Sequence, residues 1–179
     1  MLKSTEWRPI RSFYGYSVSN TGFVRNDDTD RLMTMRVNQA GLVHVGLTKN
    51  KKQHRRSVPL LVATAFITTR PDESFDSPIN LDGDRYNNEV TNLMWRPRWF
   101  ASKYFKQFEE EQIRSQCPIE DLTTSICFEN SWVAALDLGL LHQEVLLSVH
   151  TQCFVWPIRH RFRALHRGAD ITSLPKHGL

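Results

Sequence analysis

No histidine lies between His54 and His142, so no imidazole is available as a base or metal ligand through the middle of this 179-residue chain. Cysteine is scarce too. Cys117, Cys127 and Cys153 form an odd, widely spaced set with no CxxC pair. That excludes a disulfide framework and a zinc site, and predicts three buried small hydrophobes. No apolar run approaches the roughly 20 residues needed to span a bilayer. The opening "MLKSTEWRPIRS" lacks the apolar core of a secretory signal. A cytoplasmic protein, neither membrane-bound nor secreted, is expected. Internal repeats and low-complexity segments are also missing.

What is present is ordinary in amount and uneven in place. Hydrophobic residues make up 40% and charged residues 23%, enough apolar surface for one sizeable core or two small ones. The net charge of +4 permits a nucleic-acid partner without requiring one. The cations are clustered. Lys49, Lys51, Lys52, His54, Arg55 and Arg56 form one run, and Arg159, His160, Arg161, Arg163, His166 and Arg167 a second, with the acidic "FEEEQ" (Phe108 to Gln112) between them.

The first third reads as strands. "YSVSNTGFVRN" is a hairpin about Asn20-Thr21-Gly22, and "LVHVGLT" alternates before the polar turn "NKKQ". "HRRSVPLLVATAF" passes from a short strand into an apolar helix, with Pro59 in its first turn. "TTRPDESFDSP" is a loop, Asp82-Gly83 centres a turn, and Glu89 to Trp95 reads as a short helical stretch. Phe100, Tyr104, Phe105 and Phe108 recur at helical spacing, predicting an amphipathic helix over Arg98 to Gln116. Beyond Cys117 the pattern gives a strand (Thr124 to Phe128), a Ser131-led helix, a break at Gly139, a second helix (His142 to His150) and a closing ribbon (Cys153 to Leu165). Helix, short turn and helix are the parts of a helix-turn-helix, and equally of two ordinary packed helices.

Three stretches carry a family resemblance. "EWRPIRSFYGYSVSNTGFVRN", with "LMTMRVNQAGLVHVGLTKNKKQHRRSVPLLVATAFI", resembles the NUMOD4 module that precedes the nuclease domain of phage and intron homing endonucleases. "PINLDGDRYNNEVTNLMW" is similar to the HNH motif of those enzymes. "CFENSWVAALDLGL" resembles the NUMOD1-type helix-turn-helix appended to them.

The resemblance implies two short strands and a helix around one divalent metal, with a histidine activating water and the metal neutralising charge on the phosphate. It places the base at Asn80, the preceding ligand at Ile79, the middle asparagine of the motif at Asn92 and the last ligand at Ala101. An amide is no base at neutral pH, and Ile and Ala offer no ligand atom. The Val-His-Arg expected before the Leu-Val-Ala helix is also altered, to Val58-Pro59-Leu60. Asp82 and Asp84 remain as candidates for Mg²⁺ or Mn²⁺, and their expected role is in the turn. The residues that shape the motif persist (Asp82, Gly83, Asn87, Asn88, Asn92, Leu93, Trp95), whereas those that perform chemistry are replaced.

The expectation is therefore an α+β chain. It comprises a NUMOD4-like β-rich unit (1–70), a degenerate HNH ββα motif (71–101), a connecting helix (102–118), a helix-turn-helix-like unit (119–167) and a tail (168–179). A non-catalytic binder of double-stranded DNA, of phage or mobile-element origin, fits this best. Arg25, Arg36, Lys49, Lys51, Lys52, Arg55, Arg56, Arg96, Arg98, Arg159, Arg161 and Arg163 are the candidate contacts. Two other readings are a protein-interaction subunit or inhibitor of a nucleic-acid enzyme, and an active metal-dependent nickase.

Overall fold

Asn20, Thr21 and Gly22 reverse the chain between β2 (Tyr16–Ser19) and β3 (Val24–Asn26), as their turn chemistry demands. Gly22 is needed on two counts. Its φ is +89°, and a Cβ there would meet the Asn88 carbonyl oxygen at 3.1 Å. The same turn accepts Val90 N–H on Asn20 O at 2.8 Å, so the hairpin is stitched to a loop distant in sequence.

In the computed structural model, which describes residues 4–109, 114–115 and 117–165, the chain divides into two compact units, Met1–Ala101 and Ser102–Leu179. The protein is α+β, with four helices and several small antiparallel sheets among the described residues.

In the first unit, β1 (Trp7–Pro9), β2, β3 and β4 (Arg31–Leu32) form one sheet in that order. A second sheet runs β5 (Met35–Val37), β6 (Val43–Lys49), β7 (Lys52–Ser57). Asn50 and Lys51 join β6 to β7 with φ of +52° and +58°, the two left-handed positions a two-residue hairpin turn requires. Ser57 then stands extended before α1 (Val58–Phe66), and Pro59 occupies the first turn, where no N–H is needed. Val62 and Ala63 of α1 are buried with Val18, Val24, Val45, Leu47 and Trp95. Each such valine or leucine contributes about 1.5–3 kcal/mol when fully buried, so apolar contact dominates this unit. β8 (Ser77–Asn80) and β9 (Leu93–Arg96) pair as a two-stranded ribbon, followed by α2 (Arg98–Lys106).

In the second unit, β10 (Ile119–Asp121) lies between β11 (Ile126–Phe128) and β12 (Phe162–Ala164). Asn130 caps α3 (Ser131–Asp137), accepting Trp132 and Val133 N–H on its side-chain oxygen. Gly139, at φ +57°, turns the chain toward α4 (His142–Thr151). Ile119, Phe128, Ala134, Ala135, Leu140, Val145, Val155 and Phe162 form the core. Tyr104, Phe108, Trp132 and His142 stack edge to face in sequence at 5.2–5.5 Å, so the aromatic stripe joins the packing of this unit.

Several expectations need correction. Only Val90–Asn92 of the stretch read as helical is a 3₁₀ turn, and Leu93–Arg96 is strand, because Ser77–Asn80 supplies it with a partner. The helix predicted to Gln116 stops at Lys106, and Phe108 N–H instead closes a tight turn on Phe105 O. The cysteines are not buried: Cys117 and Cys127 are half-buried and Cys153 is exposed, beyond the left-handed Gln152 that ends α4. Glu110 to Gln112 of the acidic run, His166, Arg167 and the tail lie outside the described residues. Among the described residues no helix is long and apolar enough to cross a membrane.

Candidate nucleic-acid interface

Val43, Val45 and Leu47 of β6 face the core, so His44, Gly46 and Thr48 face the other way. Registered pairing carries that face onto the neighbours: Arg36 stands opposite His44, Arg55 opposite Gly46, and Gln53 opposite Thr48. A depression of about 460 Å³ results, lined by Met33, Thr34, Arg36, His44, Gly46, Gln53 and Arg55. Gly46 makes room for Gln53, since a Cβ there would come within 2.6 Å of the Gln53 amide nitrogen. Arginine, glutamine and histidine at one exposed β face are side chains able to hydrogen-bond base edges as well as phosphates.

The basic run is thereby split across the sheet. Lys52, His54 and Arg56 alternate with Gln53 and Arg55 and take the opposite face, as does Lys49. There Arg56 and Lys49 lie over the Phe13 ring at 4.8 and 5.8 Å, and His54 meets it edge-on at 5.7 Å. Lys51 is exposed at the turn between the two faces. His44 and Gln53 were missed by reading charge alone; the period-two pattern of Val43, Val45 and Leu47 was the signal that would have found them.

Three of the expected contacts, Arg25, Arg96 and Arg163, are engaged within the protein. Arg25 pairs with Asp27 at 3.4 Å and Asp30 at 3.1 Å and stacks on Trp7 at 4.6 Å. Arg96 is only 4% exposed and donates to Trp95 O, so it does not offer its charge to solvent. Arg98 is exposed. In the second unit Arg163 pairs with Glu120 at 2.7 Å, while Arg159 and Arg161 are exposed and lie over Phe154 at 5.5 and 4.7 Å. Arg159, at φ +54°, sits in a turn, so the three arginines do not share one regular strand face.

The loop between β8 and β9 is held by its own amides. Asn92 Nδ2 donates to Asp82 Oδ1 and to Asn87 O, both at 2.8 Å, while Asn92 Oδ1 accepts Asp82 N–H at 3.1 Å. Asp82 also accepts Asp84 N–H on Oδ1 and Asn87 Nδ2 on Oδ2. Asp84 accepts Tyr86 N–H. Asn80 is 1% exposed, and its amide donates to Asn87 O at 2.7 Å and Asn88 Oδ1 at 3.2 Å. Ile79 is fully buried, and Ala101 lies in α2. These residues do not fit a divalent metal: the aspartates are engaged in the loop, and the other positions offer an inward-turned amide and two alkyl groups. Among the described residues no three His, Cys, Asp or Glu side chains gather in a metal-holding group.

In comparison with known proteins, residues 6–48 match the NUMOD4 motif. Two uncharacterized HNH endonucleases of Acanthamoeba polyphaga mimivirus are 33% identical over 91 residues and 32% identical over 96. The DNA endonuclease I-HmuI of Bacillus phage SP01 is 32% identical over 94. The chain carries a NUMOD4 motif and is a homologue of HNH endonucleases. Each alignment covers about half of this chain, but only 27%, 24% and 51% of the relatives. The solved structure of the HNH homing endonuclease I-HmuI shares the fold, with a TM-score of 0.51 at 24% identity, over 91% of this chain and 99% of that one. In this HNH-like chain, the β5–β7 sheet falls across and beyond the end of the NUMOD4 match, and β8, β9 and α2 stand in ββα order.

The second unit holds a buried polar cluster. Ser115 N–H donates to Ser131 Oγ at 2.9 Å, and the Ser131 hydroxyl shares a hydrogen bond with His142 Nε2 at 2.8 Å. Burial, and secondarily the Arg114 charge, push the His142 imidazole below its ordinary pKa, so it is held neutral. Burial pushes the Glu144 carboxyl up, offset in part by the Trp156 N–H it accepts and by the Lys103 ammonium. With Ser131 and His142 at 0 and 1% exposure, this pair packs α3 against α4 and has no access for a substrate.

Proposed function

We propose that this chain is a catalytically degenerate HNH homing-endonuclease-like protein, of phage or mobile-element origin, that binds double-stranded DNA in the cytoplasm without cutting it. The observation that carries the reading is Asn80. Where the HNH resemblance calls for a base facing water, a buried amide is turned into the loop and hydrogen-bonded to Asn87 and Asn88. No proton acceptor is left to activate a nucleophile there. Homology to a DNA endonuclease supports the choice of DNA, and the outer β5–β7 face supplies the contact. Arg36 and Arg55 meet phosphates or guanine edges, and Gln53 and His44 lie on the same face. Arg98, Lys49, Lys51, Lys52 and Arg56 supply further cations from the same unit.

Purified protein with supercoiled plasmid, with and without Mg²⁺ or Mn²⁺ and across a salt series, tests this. The expected result is a salt-sensitive mobility shift and no nicking. Metal-dependent nicking abolished by Asp82→Ala would establish the nickase instead. Absence of a shift at low salt would leave the protein-interaction reading as the better one.

A further inference from the structure

The turn from Phe154 to Arg161 in the second unit belongs to neither the NUMOD4 match nor the ββα motif. Val155 and His160 bridge across it, leaving Trp156 to Arg159 as the loop. It is anchored at both ends. His160 Nδ1 contacts the fully buried Asp121 carboxylate at 2.7 Å, and Leu122 N–H donates to Arg161 O at 2.7 Å. On the other side Ser148 of α4 donates to Cys153 O at 2.6 Å.

What this anchored turn presents is unusual for a surface loop. Phe154 and Trp156 are 48% and 57% exposed, and Arg159 and Arg161 both rest on the Phe154 ring. Neither arginine has an ion-pair partner among the described residues, in contrast to Arg163 beside them. Stacking on an aromatic ring holds a guanidinium in place while leaving its N–H donors free. Two such cations beside a large exposed indole complement an anionic polymer that also has planar, weakly polar groups. DNA is that polymer.

Resting on the DNA-binding reading above, we infer that the Phe154–Arg161 turn is a second contact on duplex DNA. Arg159 and Arg161 take backbone phosphates of one strand, and Trp156 enters the minor groove against sugars and base edges. The two arginines supply charge and the indole supplies apolar contact, so their effects separate in a salt series.

The experiment measures binding of the full chain to a labelled duplex between low and moderate salt, for the wild type, Arg159→Ala/Arg161→Ala, Trp156→Ala and Trp156→Phe. The paired arginine variant is expected to flatten the slope of log K against log salt by about 1.8, at roughly 0.9 per phosphate contact. Trp156→Ala is expected to weaken binding about tenfold with the slope unchanged, and Trp156→Phe to recover most of that loss. Thermal melting at the wild-type temperature shows that each variant is folded. Wild-type binding with all three variants indistinguishable from it overturns the inference and leaves the DNA reading intact. No wild-type binding at any salt overturns both. Equal, Trp156-independent capture of a polyglutamate peptide would mark the turn as a generic site for acidic partners, against the inference.

Discussion

Asp82 and Asn92 hold each other across the β8–β9 loop: the Asn92 amide donates to Asp82 Oδ1 at 2.8 Å, and the Asp82 backbone N–H returns a bond to Asn92 Oδ1 at 3.1 Å. Their reciprocity, with Asn92 also donating to Asn87 O, fixes the residues between them in one conformation. The motif keeps its shape by this clamp whatever its chemistry.

Asn92→Ala removes all three bonds at once. At about 0.5–1.5 kcal/mol net per bond, a loss of about 2–3 kcal/mol is expected, read as a lower denaturation midpoint of the full chain. A loss under about 0.5 kcal/mol, the least that one such bond contributes, would mean that the loop is held by something other than this clamp.

Asn80→His reinstates the residue type that the HNH resemblance calls for, but not its setting. The site is buried, and an imidazole cannot reproduce both amide bonds, so about 1–2 kcal/mol of destabilisation is expected. Plasmid nicking with Mg²⁺ should stay at background, because Ile79 and Ala101 still offer no ligand. Nicking by this single variant would refute the proposed loss of the metal site.

Gly46→Ala tests the sheet face. The added methyl displaces the Gln53 amide, the mobile end of a side chain, so stability should change by less than about 1 kcal/mol. DNA affinity in the mobility-shift assay should nevertheless fall several-fold. Unchanged binding would take Gln53 out of the interface.

His142 gives the second unit a pH dependence of definite sign. Its folded pKa lies below the ordinary 6.5, so folded and unfolded chains are both neutral above that value and its contribution to stability is complete. As pH falls below 6.5 the unfolded chain takes up the proton first, and stability declines until the folded pKa is passed. Melting temperatures from about pH 7.5 down to about pH 5 should fall in the wild type, and less in His142→Asn. Equal slopes would assign the effect elsewhere.

Much of the fold was legible in local chemistry. Asn20-Thr21-Gly22 specified a hairpin, Ser57-Val58-Pro59 a helix start and Gly139 a break, because each depends on the conformational preferences of a few adjacent residues. β8 and β9 were harder to read, since such short strands are fixed by their partner more than by their own sequence. The amide at Asn80, where the HNH resemblance calls for histidine, is a property of the sequence itself. So is the resemblance to NUMOD4 and HNH proteins, with which the homology to HNH endonucleases agrees.

Other properties arose only in three dimensions. The sequence placed Lys49 to Arg56 in one basic run; β pairing divided it, setting Arg55 with Arg36 and Gln53 on one face and Arg56 over Phe13 on the other. Arg96 read as a surface cation, yet its position in β9 buries it. Phe154 and Trp156 read as part of a closing ribbon, yet they are exposed in a turn that His160 ties to Asp121 and that also carries Arg159 and Arg161. Composition and motif spacing determine which chemical groups the chain possesses, because they are properties of the residues themselves. Which groups meet, which are buried and which face solvent depends on register and packing between distant segments, so only the tertiary structure decided them.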